Sequence, residues 1–503
     1  DEGSTVGTAS SVSSINFAGA GVVATSSGVG ATITIPGFGP DAQYNLYAGT
    51  TAGADSDADT CCNIGIGYSA LHSNCAGDKN IALGACAGTN VKAGGCNVFL
   101  GAYAGMAASD LSSLVNNVAI GLYAGACLEN SYFNVMIGMN AGQKVSSGHR
   151  NILIGKMAGC EGPMTGQNNT YLGEYAGRCT TSGSDNIGLG RYSQGTGVIT
   201  GSNNIALGCK AALSKSSGAD NISIGRLAGK TAGTGNGNIF LGGYAGSQNG
   251  TAADNDAANN IAIGYATGCG LTDGDNNIFM GNSAGGHTTT GAANVLIGNY
   301  AGQCHVSGSE NVYIAHCAGR CMCNGSDNVA IGHQAMQGGS TPALNTGGCN
   351  IAIGYQAGIG LTNATRNIAI GYQAGFSMAK TVNVAIGKQA GALIGAGLGR
   401  NVFIGEVAGK GQGTASDNTA TSNVGVGPDA LNKLTTGSCN VGVGLAAGAC
   451  LSTGSQNTFI HYFSGRYVST GTGNIGMGRG AGAKLGAGNY NVSLGYDAGF
   501  GDC

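Results

Sequence analysis

The chain contains no tryptophan, only 5 prolines, and charged side chains at just 9% of its 503 residues. Because 21 basic and 24 acidic residues give a formal charge of −3, the sequence offers no basic surface for nucleic acid. No apolar run reaches about 18 residues, so no membrane-spanning segment is predicted. The 7 histidines are scattered and accompany no nucleophile motif. We therefore expect neither an enzyme nor a bound cofactor.

Glycine is abundant, with 98 residues, and 42% of the chain is apolar. Collagen is excluded because glycine does not recur at every third position, and disorder is excluded because apolar content is high and net charge low. The chain is expected to be ordered, with a core made from small side chains. An even count of 18 cysteines favours an oxidising compartment, and the first residue, Asp1, suits a processed, exported product.

A short repeat runs from residue 45 to the end, in 26 copies with a commonest spacing of 17 residues. Each copy approximates Asn-Ile/Val-x-Ile/Leu-Gly-x-x-Ala-Gly, and positions are counted here from its asparagine as position 0. Alternation over positions 1 to 3 predicts a short strand, and frequent glycine excludes a helix. Strands this short need neighbours, so the sequence predicts an all-β, parallel β-solenoid.

Three further positions of the repeat suggest how each coil closes, as in the copy that starts at Asn350. Glycine at position 4, here Gly354, predicts a corner with positive φ or close backbone approach, and only Ala315 and His461 replace it. A small residue at position 7, here Ala357, is expected to point inward. An apolar residue often follows at position 11, here Leu361.

The repeat asparagines are expected to stack and to hydrogen-bond one another along the solenoid, which satisfies their buried amides. Representative members of this predicted ladder are Asn63, Asn80, Asn117, Asn151, Asn221, Asn350, Asn367, Asn401 and Asn491.

The motif Asn-Ile-Ala-Ile-Gly-Tyr-Gln-Ala-Gly, at Asn350 and again at Asn367, resembles the head repeats of trimeric autotransporter adhesins. The segment 201–208, Gly-Ser-Asn-Asn-Ile-Ala-Leu-Gly, resembles the repeats of phage tail-fibre and bacterial surface proteins more closely. These resemblances cover residues 45 to 503. They imply a parallel β-roll, often trimeric, that serves as a shaft or an attachment surface.

The two ends differ from the middle of the chain. Residues 1–44 lie outside the repeat, and the alternating segments 14–17 and 31–35 predict strands that form either a cap or an assembly strand. The repeat domain, residues 45–503, runs to Cys503 without a change of pattern. An uncapped end suggests head-to-tail stacking into a filament, or removal of a C-terminal domain.

Cysteines recur at preferred positions of the repeat, so neighbouring coils bring some of them together. Cys304 and Cys321 are candidates for one disulfide, and Cys160 and Cys179 for another. Buried free thiols are the alternative. The densest polar cluster surrounds His305, but its spacing follows the repeat. We therefore interpret it as disulfides with surface histidines, and predict no metal site.

Two surface features could mediate contact with other molecules. Tyrosines often occupy positions 5 and 6, either as a stripe for glycan or receptor contact or as packing between chains. Longer loops fall near residues 106–116, 247–259, 337–349 and 410–422. The candidate glycosylation sites are Asn168, Asn249, Asn324 and Asn363.

Together these patterns predict a structural protomer of an extracellular filament or fibre, assembled by end-to-end stacking of disulfide-stapled solenoids. The alternative is a phage tail-fibre or cell-surface adhesin shaft that binds a receptor or glycan through its inter-repeat loops. The expected partners are further copies of the chain and, under the alternative, a glycan or receptor.

Overall fold

The computed structural model describes residues 23–26, 31–34, 40–109, 113–214, 216–231, 233–247, 255–339, 345–395 and 399–499. The chain divides into two compact units, Asp1–Thr200 and Gly201–Cys503. Within the described residues, no helix is long and apolar enough to cross a membrane.

The first unit begins with an antiparallel pair of strands and continues as a parallel series of short ones. Its strands are β1 (Val23–Ser26), β2 (Ala31–Thr34), β3 (Leu46–Ala48), β4 (Ile64–Ile66), β5 (Ile81–Leu83), β6 (Val98–Leu100), β7 (Val118–Ile120), β8 (Val135–Ile137), β9 (Ile152–Ile154), β10 (Thr170–Leu172) and β11 (Ile187–Leu189).

The second unit contains only the parallel series and one 3-10 turn among its described elements. Its strands are β12 (Ile205–Leu207), β13 (Ile222–Ile224), β14 (Ile239–Leu241), β15 (Ile261–Ile263), β16 (Ile278–Met280), β17 (Val295–Ile297), β18 (Val312–Ile314), β19 (Val329–Ile331), β20 (Ile351–Ile353), β21 (Ile368–Ile370), β22 (Val384–Ile386), β23 (Val402–Ile404), β24 (Val424–Val426), β25 (Val441–Val443), β26 (Thr458–Ile460), β27 (Ile475–Met477) and β28 (Val492–Leu494). The turn spans Ala415–Asp417.

The predicted parallel β-solenoid is confirmed within each unit. Every strand from β3 to β11 pairs in parallel with the next. The strands from β12 to β28 do the same. Pairing joins equal positions of the repeat, as where Ile351 lies opposite Ile368. Longer intervals between asparagines are therefore accommodated in loops without a change of register.

The N-terminal segment agrees with its prediction in part. β2 covers most of the predicted strand 31–35 and pairs antiparallel with β1, which the sequence did not reveal. The other predicted strand, 14–17, lies outside the described residues.

Position 4 forms the predicted corner and meets both conditions that select glycine. Gly354 adopts φ 128°, and a Cβ there would lie 2.6 Å from the carbonyl oxygen of Gly371 in the next coil. The two exceptions also have positive φ, 114° at Ala315 and 100° at His461. Glycine at this corner therefore allows coils to stack closely with little strain, although Ala315 and His461 show that a side chain can be accommodated there.

The core is built mainly from positions 2, 7 and 11 of the described coils. Position 7 is fully buried except in the first and last copies, at Ala52 and Ala498, and this holds both where it is alanine and where it is Ser193, Thr267 or Ser464. The apolar residues predicted at position 11 are fully buried too, and they are Leu128, Val145, Leu271, Leu361, Leu434, Leu451 and Val468. In the strands it is the middle residue that points inward, whereas the residues on either side of it remain partly exposed.

Side-chain volume is balanced between positions 2 and 8. Where position 2 is large, as in Phe99 or Tyr171, position 8 is glycine, and a Cβ on that glycine would collide with the ring. Where position 2 is glycine, as in Gly65, position 8 can hold a buried leucine, Leu71. In such coils one large side chain, at position 2 or at position 8, fills the interior, which keeps it densely packed.

The corner requirement can be tested on two adjacent glycines, Gly242 at a corner and Gly243 beside it. A Cβ on Gly242, which has φ 132°, would lie 2.8 Å from the carbonyl carbon of Gly264. A Cβ on Gly243 would approach nothing closer than 3.5 Å. We expect Gly242→Ala to lower the free energy of unfolding by about 3 kcal/mol and Gly243→Ala to change it by less than about 0.5 kcal/mol. Denaturant unfolding followed by circular dichroism measures both, and equal effects would contradict the account.

Candidate functional site

The repeat asparagines form hydrogen-bonded ladders within the two units. The Nδ2 group of Asn367 donates to Oδ1 of Asn350 at 3.0 Å, and the backbone N–H of Asn367 donates to the same oxygen at 3.0 Å. Nδ2 of Asn350 in turn donates to Oδ1 of Asn328 in the preceding coil at 3.1 Å, and to the carbonyl oxygen of Ala364, near the end of its own coil, at 2.7 Å. Each amide therefore contacts the coils before and after its own, and the bonds all point the same way.

All nine representative asparagines named from the sequence donate to the preceding ladder asparagine. They are Asn63, Asn80, Asn117, Asn151, Asn221, Asn350, Asn367, Asn401 and Asn491. Aligned amide bonds polarise one another, which strengthens the whole series. The ladder is thus a structural site that fixes the spacing of the coils.

A second set of asparagines anchors three long loops and was missed in the sequence. Asn255, Asn345 and Asn418 are almost fully buried, and each precedes a ladder asparagine by five residues. Their Nδ2 groups donate to carbonyl oxygens of the preceding coil, at 2.8 Å for Asn255, 2.7 Å for Asn345 and 2.9 Å for Asn418. The signal was present, because all three intervals of 22 residues contain this asparagine.

Positions 1 and 3 form two outward-facing rows of apolar side chains, which we call the outer columns. Every residue in them is apolar except Thr170 and Thr458, and none is charged. Individual members are well exposed, 41% for Leu241 and 37% for Ile404. Continuous apolar surface of this kind is rare on monomers and marks interaction sites.

The opposite side of the corner carries ladders of polar and aromatic side chains at positions 5 and 6. The rings of His333, Tyr355 and Tyr372 stack with centroids 5.3 and 5.2 Å apart. Beside them, the amide of Gln373 donates to that of Gln356 at 2.9 Å. Because stacking covers the ring faces within this column, solvent meets mainly ring edges. The tyrosines there are thus packed along the solenoid rather than spread as separate flat platforms.

The two candidate disulfides do not form in this structure. Cys160, Cys179, Cys304 and Cys321 are all free, as are the other 13 cysteines among the described residues. Cys304 and Cys321 occupy equal positions of neighbouring coils, where parallel Cα–Cβ bonds lie about 4.8 Å apart, whereas a disulfide needs Cβ atoms about 3.8 Å apart. Burial also raises the pKa of the Cys160 and Cys321 thiols to about 11, which keeps them protonated and unreactive at neutral pH.

The cluster around His305 is different from the surface group that the sequence suggested. His305 is fully buried, with Nδ1 2.8 Å from the Met322 carbonyl oxygen and Nε2 2.7 Å from that of Gly308. Burial lowers the pKa of His305, although both carbonyls oppose that shift. Among the residues that the structure describes, no three His, Cys, Asp or Glu side chains are arranged to hold a metal ion.

The candidate glycosylation sites lie in different environments. Asn324 and Asn363 are exposed, and Asn168 is exposed but donates from Nδ2 to Asp185 at 3.0 Å. Asn249 and parts of the predicted loops 106–116, 247–259 and 337–349 lie outside the described residues.

Comparison of the chain with protein-family models gives no match, and comparison with curated protein sequences gives none either.

Adjacent asparagines allow the ladder to be tested with one substitution and its control. In Asn277→Asp, a carboxylate oxygen replaces an Nδ2 that donates to Asn260 at 3.0 Å and to Gly291 at 2.9 Å. Because this carboxylate oxygen is buried and faces two other oxygens, Asn277→Asp should lower the free energy of unfolding by about 3–5 kcal/mol. Asn276→Asp, on the exposed neighbour, should cost less than about 0.5 kcal/mol.

The same pair predicts a pH dependence that denaturant unfolding can measure. The oxygens around the carboxyl introduced by Asn277→Asp raise its folded-state pKa above the unfolded value, so the folded state binds the proton more tightly. The loss of stability should shrink at acidic pH and grow as the pH rises through the raised pKa. A pH-independent loss, or equal losses for both variants, would show that the ladder does not determine coil stability.

Proposed function

We propose that the protein is a structural protomer of an extracellular fibre, in which copies of the chain associate side by side through the outer columns. The observation that carries this proposal is the uncharged apolar surface that positions 1 and 3 form within each unit. A charged or polar residue at any of these positions would have been compatible with the strand pairing, yet only two threonines occur.

The dimensions of the outer columns support association between copies. In the second unit, 17 strands run from β12 to β28. At about 4.8 Å per strand they extend over about 80 Å, and the two columns lie about 6.6 Å apart along each strand. With its side chains, the strip is about 10 Å wide and covers roughly 800 Å², the area that one partner contributes to a standard stable interface.

The interior of the solenoid suits a structural role. The asparagine ladder and the glycine corners fix each coil to its neighbours, and most buried positions are occupied by apolar residues or by hydrogen-bonded asparagines. Strands whose outward residues are apolar pack face to face in stacked sheets about 10 Å apart. Copies of one chain share the same coil spacing, so their columns can stay in register over the length of a unit.

End-to-end stacking of solenoids remains a prediction. Disulfides are not part of the proposal, because the cysteines among the described residues are free. Extracellular location is part of the proposal, and its support is the resemblance of the repeat to surface and tail-fibre proteins.

The proposal is tested by charging the outer columns of two neighbouring coils. Ile353→Lys with Ile370→Glu places opposite charges side by side on strands that pair in register. If the columns are an interface, this double variant should dissociate the assembly, because a buried charge without a partner across the interface is costly. Sedimentation velocity and electron microscopy of the full chain measure the change.

The matched control changes the same coils on the other side of the corner. Tyr355→Lys with Tyr372→Glu alters two exposed side chains of the aromatic column. We expect this variant to assemble like the unmodified protein and both variants to melt at similar temperatures. Unmodified protein that sediments as a monomer, or equal loss of assembly in both variants, would contradict the proposal.

A further inference from the structure

A notch interrupts the side-chain ladders in the second unit, in the three coils that contain β26, β27 and β28. It is a cavity of about 190 Å³, with Gly480 and Ala483 at its base. Phe463 and Tyr467 line one side, and Asp497 lines the other. Two arginines, Arg466 and Arg479, complete the lining.

The notch exists because Gly480 occupies position 6, where other coils carry a side chain. The neighbouring coils hold Phe463 and Asp497 at that position, so the glycine leaves a gap of one side chain in the column. Its φ of 67° resembles the 57° of Phe463, so the backbone conformation itself does not require glycine. The carboxylate of Asp497 lies over the place where a Cβ would project.

Both arginines are held in place by aromatic rings rather than by carboxylates. The guanidinium of Arg466 lies 4.0 Å from the ring centre of Phe463, and that of Arg479 lies 5.1 Å from the ring centre of Tyr496. Arg479 also donates from Nη1 to the Tyr496 hydroxyl at 2.8 Å. Among the described residues, neither arginine forms an ion pair. Each guanidinium therefore keeps donors for an outside acceptor.

We propose that the notch binds one sugar unit that bears a carboxylate, such as a uronic acid of an acidic polysaccharide. A guanidinium matches a carboxylate with two parallel hydrogen bonds, and aromatic and apolar walls suit the C–H faces of a sugar ring. The carboxylate of Asp497 accepts hydrogen bonds from sugar hydroxyls. A cavity of about 190 Å³ is somewhat larger than the roughly 150 Å³ cavity that holds one benzene ring, so it fits a single sugar ring.

The mixed charge of the notch favours this ligand over two simpler ones. Sulfate has no hydroxyl that could donate to Asp497, so the two arginines alone would have to hold it. A neutral sugar satisfies Asp497 but leaves the arginine donors without a charged acceptor, and hydrogen bonds to charged groups are the stronger ones. The site therefore requires a carboxylate and hydroxyls on one molecule.

The test is titration calorimetry of the full chain with sodium glucuronate, with glucose and sodium sulfate as comparison ligands at the same ionic strength. We expect saturable binding of glucuronate with one site per chain, and binding of glucose and sulfate at least about tenfold weaker. Equal binding of sulfate would overturn the proposal in favour of a general anion site. Equal binding of glucose would show that the arginines do not recognise the ligand.

Two variants and a matched control locate the binding. Gly480→Tyr fills the notch with a residue that already follows an arginine in this ladder, at Arg191 and Tyr192. Arg479→Gln removes the charge. Each should weaken glucuronate binding about tenfold or more. Arg226→Gln alters another position 5 arginine, which donates to the hydroxyl of Tyr244 at 2.5 Å but has Leu227 beside it instead of glycine.

The control should bind glucuronate like the unmodified chain, and circular dichroism should show the same fold in all three variants. Unchanged binding in either Gly480→Tyr or Arg479→Gln would place the sugar elsewhere and refute the notch. An equal loss in Arg226→Gln would do the same, because it would reflect a general effect of positive charge.

Discussion

The asparagine amide at the start of each coil is the interaction on which the rest of the structure depends. It is buried, it has hydrogen-bonding groups that must be satisfied, and its partners lie in both neighbouring coils. In Asn311, for example, Nδ2 donates to Asn294 while Oδ1 accepts from Asn328. A coil shifted by one residue would leave these groups without partners at a cost of about 1–3 kcal/mol each. The ladder thereby sets one register for every strand.

The fixed register turns each position of the repeat into a column of equivalent side chains. Inside, this gives the balance of large and small residues at positions 2 and 8. Outside, it gives the outer columns on one face and the ladders at positions 5 and 6 on another. It also accounts for the free thiols, because cysteines in the same column, such as Cys304 and Cys321, have parallel side chains that are too far apart to bond. Loops of different length leave the register unchanged, since buried asparagines such as Asn345 tie them to the preceding coil.

Much of the fold could be predicted because the repeat reports local geometry directly. Gly354 indicates a positive φ at the corner, and Ala357 indicates a small inward site. Which residues of each strand point into the core could not be predicted in the same way. Alternation over three residues is the same whichever face is buried, and the apolar residues on either side of Ala352 suggest an inward pair when they in fact point outward. The sequence did contain a second signal, the paired sizes of Phe99 and Gly105 or of Gly65 and Leu71. That signal places position 2 in the core.

The candidate sites were harder to predict, because each depends on the residue that a single coil places in a column. The notch at Gly480 exists through the absence of a side chain, and no motif marks it. The disulfide prediction considered the spacing of Cα atoms but not the direction of the Cβ atoms. His305 occupies position 11, a core position, although histidine is more often found at the surface.

If the outer columns lie between copies of the chain, as proposed, the mass per unit length of purified particles shows it most directly. With 49.1 kDa in 503 residues, a coil of 17 residues has a mass of about 1.7 kDa and advances about 4.8 Å. Scanning transmission electron microscopy should therefore measure about 0.7 kDa per Å or more, the value for at least two chains side by side. A value near 0.35 kDa per Å, which corresponds to a single chain in cross-section, would contradict the account.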